Sequence, residues 1–471
     1  MTKRVVTTIQ GIRYTLTEKL GQGGQGAVFR TEDGRYAVKL LRNRSPISRD
    51  ALRDRLAMVA RLPIEDLALA RPLDRLREPD LGYVMDLYTG MISIQSLLKP
   101  PRDALSLTQW YLDGGGLRRR LRLLARTADL FSRLHGRGLV YTDPSPQNIF
   151  VSEAVDAHEV RLIDTDNLRA SSVVGQAYAT HGYGAPELIS GRGPATSLSD
   201  AHAFAVIAFQ VLALVHPLKG DFVEGGEPDV EEQALNGDLP WIDDSDDDQN
   251  RSCHGISRDR VLSRHLQADF AETFGLGLKD PLRRPGMARW AEHLDRAANN
   301  TLSCPACGGT YFHTSARCPW CTASKPAFVS LGCVLWDPER ILPGNRAGER
   351  IAHAGTVRQP DASQGGKERG IDSAVVGEGD ELELTDRFTA GESTGKPQIS
   401  VRHAGSKLVI KALASGPWRL VSLDGRGDRK LEQGPAEVPL CNGAVQWFLR
   451  TGESNRLHRI IRFRQMEGIQ S

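Results

Sequence analysis

Two carboxylates and an amide stand at a spacing suited to moving a phosphoryl group. Asp143 and Asn148 share one polar loop, Tyr141-Thr142-Asp143-Pro144-Ser145-Pro146-Gln147-Asn148-Ile149-Phe150, and Asp164 follows in Arg161-Leu162-Ile163-Asp164. Phosphoryl transfer from Mg-ATP needs a carboxylate to orient the acceptor hydroxyl. It also needs an amide and a second carboxylate to hold the metal that neutralises the developing phosphate charge. An Asp and an Asn in one polar loop more often close turns or cap helices, so this loop alone is a weak signal. Order along the chain strengthens it. Upstream, Gly21-Gln22-Gly23-Gly24-Gln25-Gly26-Ala27-Val28 fits G-x-G-x-x-G-x-V, a turn whose missing Cβ atoms would let backbone N–H groups approach phosphates. Next, Tyr36-Ala37-Val38-Lys39 alternates as a strand does and would deliver an ammonium to the same phosphates.

The elements that must position these groups are also visible. Residues 11 to about 90 read as short strands around the glycine loop, with one helical stretch from Asp50 to Leu62 and a strand at Tyr83-Val84-Met85-Asp86-Leu87-Tyr88. Apolar residues recur at helical spacing from Leu117 to His135, and Gly136 and Gly138 stop that helix just before the loop. The apolar run 201–215 contains His202 and Gln210 and is too short to span a bilayer, so it reads as a buried helix. Downstream lie Thr180-His181-Gly182-Tyr183-Gly184-Ala185-Pro186-Glu187, then Asp200, then Arg284-Pro285.

In this order the motifs resemble those of protein kinases. The resemblance implies an α+β chain with a bilobal protein-kinase-like fold over residues 11–300, the small lobe being 11–88 and the large lobe 89–300. Gly21, Gly23 and Gly26 would cover the phosphates, and Lys39 would contact the α and β phosphates. Val28 and Ala37 would belong to the nucleotide site, and backbone groups from Asp86 to Tyr88 would meet the adenine. Asp143 would orient the acceptor hydroxyl and Thr180 would hydrogen-bond beside it, while Asn148 and Asp164 would hold Mg or Mn. Glu187 would pair with Arg284 in a structural role.

The departures from that pattern matter as well. Tyr141-Thr142 stand where the family carries His-Arg, so the arginine that reads activation-loop phosphorylation is absent. Ser145 stands where a catalytic-loop lysine is usual, which removes a cation from the transferring phosphate. The magnesium loop reads Asp164-Thr165-Asp166 instead of Asp-Phe-Gly. Asp166 is either a second metal-supporting acid or a solvated turn acid, and the second reading is preferred. The helix after Lys39 offers Asp54 as the lysine's partner but no Glu at the usual place.

Cysteine spacing defines a second module. Cys304-Pro305-Ala306-Cys307 and Cys318-Pro319-Trp320-Cys321 make two CxxC pairs, which can close a tetrahedral four-thiolate shell around a structural Zn. A zinc ribbon is expected over 301–340. Cys253, Cys333 and Cys441 complete the seven cysteines and read as ordinary thiols. Residues 341–380, rich in Gly, Gln, Arg, Asp and Ser, read as a flexible linker. From 381 to 466 short alternating runs such as Lys407-Leu408-Val409-Ile410-Lys411 predict an antiparallel β-sandwich-like domain. Its outline weakly resembles a forkhead-associated sandwich, with Ser400-Val401-Arg402-His403 near the place where such domains carry Ser and His; no Gly-Arg phosphate element precedes it, so a plain adaptor β-sandwich is preferred to a phosphothreonine reader.

At 471 residues the chain is long enough for about three units. With 60 basic and 58 acidic residues the net charge is +2, which gives no general reason for binding nucleic acid or an anionic membrane. The acidic run Asp243-Asp244-Ser245-Asp246-Asp247-Asp248 reads as a solvated loop. The amino terminus lacks the apolar core of a signal peptide, and a soluble cytoplasmic protein is expected. Over residues 11 to about 325, the departures, the acidic insert with Trp241 and the ribbon together resemble an atypical bacterial subgroup of kinases, encoded with a PP2C-type phosphatase and a von Willebrand A-domain protein. The resemblance implies ATP-dependent Ser/Thr phosphorylation of a protein partner in signalling or stress response. An ATP-binding pseudokinase or scaffold is the alternative.

Overall fold

The computed structural model describes the chain except residues 1–3, 24–25, 43–45, 103, 105, 172–178, 337–369, 392–393, 424–426, 432–433, 441–443, 454–455 and 469–471. Two compact units result. The first comprises Met1–Asp103, Arg126–Ile256 and Gln267–Ala291; the second comprises Ala104–Ala125, Ser257–Leu266 and Glu292–Ser471. The span 11–300, read from sequence as one domain, therefore contributes to both.

In the first unit, strands β1 (Arg4–Thr7), β2 (Arg13–Gln22), β3 (Gly26–Thr31), β4 (Tyr36–Leu41), β5 (Asp74–Arg75) and β6 (Gly82–Asp86) form one sheet in the order β1-β2-β3-β4-β6-β5. Helix α1 (Pro46–Val59) follows β4. Strand alternation explains how the sheet is covered. Val38 and Leu40 pack with Val6, Leu16, Leu76 and Val84 in one cluster. Ala37 and Leu41 pack with Tyr83, Met85 and Leu56 of α1 in another. Lys39 has the parity of Ala37 and Leu41, so it emerges on the face covered by α1.

The remainder of this unit is built on α2 (Gly116–Gly136), which begins in the other unit, and α3 (Ser197–Ala213). Helix α3 starts in a capping box between Thr196 and Ser199 and is buried on all sides from Ser199 to Phe209. Its Phe204 and Phe209 pack edge to face on Trp241, Phe270 and Trp290, and Phe270 stacks on Phe274. Strand β7 (Met91–Ser93) joins β9 (Ile149–Ser152) and β10 (Val160–Leu162) in the order β10-β9-β7; β8 (Leu139–Val140) pairs with β11 (Arg169–Ala170). The acidic run is a loop exposed from Ser245 to Asp248 and anchored by buried Trp241, Ile242 and Asn250.

The second unit contains the hairpin β12 (Thr301–Ser303) and β13 (Thr310–Phe312), followed by two antiparallel sheets. One sheet uses β14 (Phe328–Trp336), β15 (Gly370–Gly377), β19 (Arg419–Ser422), β20 (Asp428–Lys430), β22 (Ala444–Arg450) and β23 (His458–Met466), in the order β15-β14-β23-β22-β19-β20. The other is β16 (Glu381–Thr385), β17 (Pro397–Ala404), β18 (Lys407–Ala412) and β21 (Ala436–Pro439), in the order β16-β17-β18-β21. Val329, Leu331, Leu384, Val401, Ile410, Leu449 and Ile461 meet in their shared core. The sandwich thus starts at Phe328, inside the span expected as ribbon, and includes residues 370–377 of the expected linker. Residues 337–369 of that span, and Cys441, lie outside the described residues.

Arg118, at the start of α2, organises this unit. Its side chain donates to Thr301 Oγ1 (2.7 Å), the Thr301 carbonyl (2.7 Å), Ser303 Oγ (3.2 Å) and Asp380 Oδ2 (3.0 Å), and its backbone N–H donates to Thr310 Oγ1 (2.9 Å). Burial pulls its pKa down, but Asp380 opposes that and supplies the counter-charge. Replacing Arg118 with Met should therefore strand the Asp380 carboxylate and cost roughly 2–3 kcal/mol. Denaturant unfolding read by near-UV circular dichroism checks this; a loss below about 0.5 kcal/mol would contradict the assigned role.

Candidate active site

The backbone of the 141–148 loop is held from below by Asp200 on α3. Asp200 Oδ2 accepts from the Tyr141 N–H (2.8 Å) and Oδ1 from the Thr142 N–H (3.0 Å), while His135 Nε2 meets Oδ2 at 2.9 Å. Thr142 sits at φ 79°, costly for a β-branched residue, and these two bonds offset the cost. The Tyr141 hydroxyl donates to the Ile163 carbonyl, directly before Asp164. Asp143 Oδ1 accepts from both the Thr180 N–H and the Thr180 hydroxyl, each at 2.8 Å. Asn148 Nδ2 donates to the Asp143 carbonyl (3.3 Å). Asp143, Asn148 and Thr180 are thus neighbours.

The segment carrying Asp164 is wedged between two others. The Ile163 N–H donates to the Asn148 carbonyl (2.9 Å), the Ala70 N–H to the Leu162 carbonyl (2.8 Å), and Thr165 Oγ1 to the Ala70 carbonyl (2.7 Å). Asp164 adopts the left-handed conformation, φ 59° and ψ 48°. Lys39 Nζ donates to Asp164 Oδ1 and, at 3.0 Å, to Asp166 Oδ1.

Asp166 is fully buried, which overturns the solvated-turn reading. Asp54 is exposed on α1 and is not the partner of Lys39. The α1 side chain whose charge reaches Asp166 is the neighbouring Arg55. No helix carboxylate marks this in the sequence, because the carboxylate lies in the Asp164–Asp166 turn and the helix supplies the cation.

Burial, together with the adjacent Asp166 carboxylate, pushes Asp164 up to about 7. Burial also acts to raise Asp166, but its hydrogen bond with Asp164 and the Lys39 ammonium outweigh that and hold it below the usual range. Burial likewise opposes the charge on Lys39, and the two carboxylates overcome it and raise its pKa. Asp166 Oδ2 has no hydrogen-bond partner among the described residues. Two carboxylates facing one ammonium, with one oxygen unpartnered, fit a site that takes a divalent cation.

The expected nucleotide cradle divides by role. A Cβ at Gly21 or Gly23 would meet nothing within 4 Å, whereas one at Gly26 would lie 2.2 Å from the Leu40 carbonyl. Gly26 is therefore required by the close pairing of β3 with β4, and Gly21 and Gly23 leave open space. Gly24 and Gln25 lie outside the described residues. Val28, Ala37, Leu87, Tyr88 and Ile163 belong to one apolar cluster. Asp86 is exposed, and the Tyr88 hydroxyl donates to the Leu69 carbonyl (3.2 Å) beneath the Arg161 guanidinium, 4.6 Å from its ring.

Beyond Thr180 the segment is fixed twice. Glu187 receives a two-pronged ion pair from Arg284, at 2.7 and 2.8 Å. His216 Nε2–H donates to the Gly182 carbonyl (2.9 Å), and Nδ1 accepts from the Leu218 N–H (3.1 Å). This geometry requires the neutral ring, and burial pulls the His216 pKa down to about 4.

In the second unit, Cys304, Cys307, Cys318 and Cys321 converge. Sγ separations are 3.5 Å for Cys304–Cys321 and 3.7 Å for Cys307–Cys318. Tetrahedral thiolate ligation at about 2.3 Å implies about 3.8 Å between sulfurs, so these donors fit a closed metal shell.

No family model matches the chain. Curated relatives do. Serine/threonine-protein kinase pkn2 of Myxococcus xanthus is 28% identical over 226 residues, 44% of this chain and 25% of the relative. Serine/threonine-protein kinase PknD of Mycobacterium tuberculosis is 30% identical over 220 residues, 45% of this chain and 31% of the relative. Calcium/calmodulin-dependent protein kinase type 1B of Rattus norvegicus is 24% identical over 265 residues, 52% of this chain and 70% of the relative. The chain thus spans only a quarter to a third of the length of these two bacterial relatives.

The buried neutral His216 sets a pH dependence. An unfolded histidine takes a proton below about 6.5, but the folded one does so only near 4, so stability should be full above the first value and fall as pH drops toward the second. Thermal midpoints between pH 7 and 5 should decline, and less steeply for His216→Gln; equal slopes would contradict the assignment. Close to half of the chain is homologous to serine/threonine protein kinases of bacteria.

Proposed function

We propose that this chain is an ATP-dependent serine/threonine protein kinase acting on a protein substrate. The observation that carries the proposal is the gathering of Lys39 with Asp164 and Asp166, next to a loop in which Asp143 is locked to Thr180. Asp143 would orient the acceptor hydroxyl and take its proton, with Thr180 fixing which oxygen faces the acceptor. Lys39 would meet the nucleotide's α and β phosphates, Gly21 and Gly23 would leave room above them, and the Val28–Ala37–Tyr88 cluster would receive the base. Asn148 and Asp164 would hold Mg or Mn, which when bound supplies neutralisation of phosphate charge.

The pseudokinase reading rests on two features: Ser145, 2% exposed, supplies no cation where the family has lysine, and Asp164-Thr165-Asp166 stands where the family has Asp-Phe-Gly. Retention of Lys39, Asp143, Asn148 and Asp164 weighs against it. Among the described residues no helix is long and apolar enough to cross a membrane. A PP2C-type phosphatase and a von Willebrand A-domain protein are proposed partners on the sequence resemblance alone.

The four-cysteine cluster we read as a structural zinc site, since four thiolates leave no place for substrate. The sandwich keeps its forkhead-associated outline as a proposal, but not its phosphothreonine reading at Ser400 and His403. Both are buried in β17 and engaged internally, Ser400 with Glu381 and His403 with the Gly405 carbonyl.

Labelled Mg-ATP offered with a generic protein acceptor tests the central reading. Wild type should transfer phosphate, and Asp143→Asn should lose about 100-fold or more. Nucleotide binding without transfer by wild type, with either Mg or Mn, would move the chain to the pseudokinase class. Asp166→Asn should lower activity and weaken nucleotide binding while unfolding stays cooperative. Cys304→Ser with Cys321→Ser should lose one zinc per chain and lower the melting temperature of the second unit; a metal-free wild type of full stability would contradict the ribbon.

A further inference from the structure

Away from this site, Asp221, Cys253 and His254 bring one donor atom each to within 4.8 Å of one another. Cys253 Sγ lies 3.8 Å from His254 Nε2, and His254 Nε2 lies 3.8 Å from Asp221 Oδ1. A cysteine and a histidine adjacent on a mobile loop would signify little. Here the backbone that carries them is fixed at several points.

Asn250 is fully buried. Its side chain donates to the Leu218 carbonyl (3.0 Å) and the Pro240 carbonyl (2.9 Å) and accepts from the Gly220 N–H (3.0 Å). The Asp221 N–H donates to the Arg251 carbonyl (2.9 Å), joining the two segments that supply the donors. The Cys253 N–H donates to Asp221 Oδ2 (3.1 Å), Ser252 Oγ to Asp221 Oδ1 (3.4 Å), and the His254 N–H to Ser252 Oγ (3.2 Å). Gly255, at φ 81°, approaches so closely that a Cβ would lie 2.3 Å from the Ala213 carbonyl, and the Ile256 N–H donates to that same carbonyl (2.8 Å). The donors are therefore held together at the surface by buried anchors on both sides.

The donor set selects the ion. A thiolate, an imidazole and a carboxylate suit zinc and similar borderline-soft divalent ions, whereas magnesium and calcium prefer all-oxygen shells. Glu224 lies near enough to act on the thiol electrostatically, and the exposed Asp246–Asp248 stretch precedes the loop, so the surroundings favour a cation. Three protein donors leave a fourth place for water or for a donor from a bound protein. We propose that Asp221, Cys253 and His254 form a second, solvent-facing metal site, which takes a divalent ion of the zinc class and keeps one coordination place open. Unlike the four-cysteine cluster, this site is exposed and its ion should exchange.

The test uses the full chain, equilibrated with Zn(II) or Co(II) at controlled free concentration. Wild type should hold one ion per chain more than the Cys253→Ser/His254→Ala double variant, and its cobalt form should show a thiolate charge-transfer component that the double variant lacks. Asp221→Asn should retain the thiolate signal but require a higher free metal concentration to reach it. All three donors are at the surface, so the variants should melt with wild-type cooperativity. The proposal is independent of the ribbon, because the comparison is a difference between two chains that share it. Equal metal content and superimposable cobalt spectra for wild type and double variant would overturn it.

Discussion

One ammonium placed between a buried carboxylate and a partly exposed one is the constraint around which the first unit is arranged. Burying Lys39 and Asp166 without mutual pairing would cost several kcal/mol per charge, so the strand that delivers the lysine and the loop that delivers the acids must meet. Strand parity decides that Lys39 leaves β4 on the α1 face. The wedge of Ile163 and Thr165 between Asn148 and Ala70 decides where the acids arrive. Because Asp166 is two residues from Asp164, both carboxylates that meet the lysine belong to one short turn. Helix α1 covers this face with Leu56 and adds the charge of Arg55, which acts on Asp166, so the helix is coupled to the lysine through an acid it does not itself carry.

Asp200 fixes the backbone of the 141–148 loop. Its two oxygens hold the Tyr141 and Thr142 backbone and also meet His135, which fixes the loop to α3 and the end of α2. Tyr141 then reaches across to the Ile163 carbonyl, so the loop carrying Asp143 and the loop carrying Asp164 share a direct link.

Much of this was legible in the sequence because it rests on short-range rules. Motif order brought Lys39, Asp143, Asn148, Asp164 and Thr180 into one reading, alternation gave the β4 face, and doubled CxxC pairs pointed to the convergence of four cysteines. What escaped depends on long-range burial. Asp166 looks like any turn acid until Lys39 closes over it. Arg118 is one of many arginines along an amphipathic helix, and nothing local marks it as the residue that gathers Thr301, Ser303 and Asp380. Strands β14 and β15 pair with each other across residues 337–369, so a composition shift between them read as a boundary although both belong to one sheet. Ser400 and His403 carried the right residue types for ligand contact, but both side chains are turned into the protein.

The absence of an arginine before Asp143 bears on how such a site could be controlled. In the resembled family that arginine waits for a phosphate on the activation segment; here its place is taken by Thr142, at positive φ, with its hydroxyl on the Asn167 carbonyl (3.3 Å). The described part of the segment is instead held by contacts already in place, namely Thr180 to Asp143, Gly182 to His216 and Glu187 to Arg284. These contacts of the described residues form without a phosphate, which leaves other elements as places where control could act. The α1 helix is one physical opportunity, since Arg55 lies within electrostatic reach of the acid that pairs with Lys39 and a shift of that helix would alter the balance of charge around the ammonium.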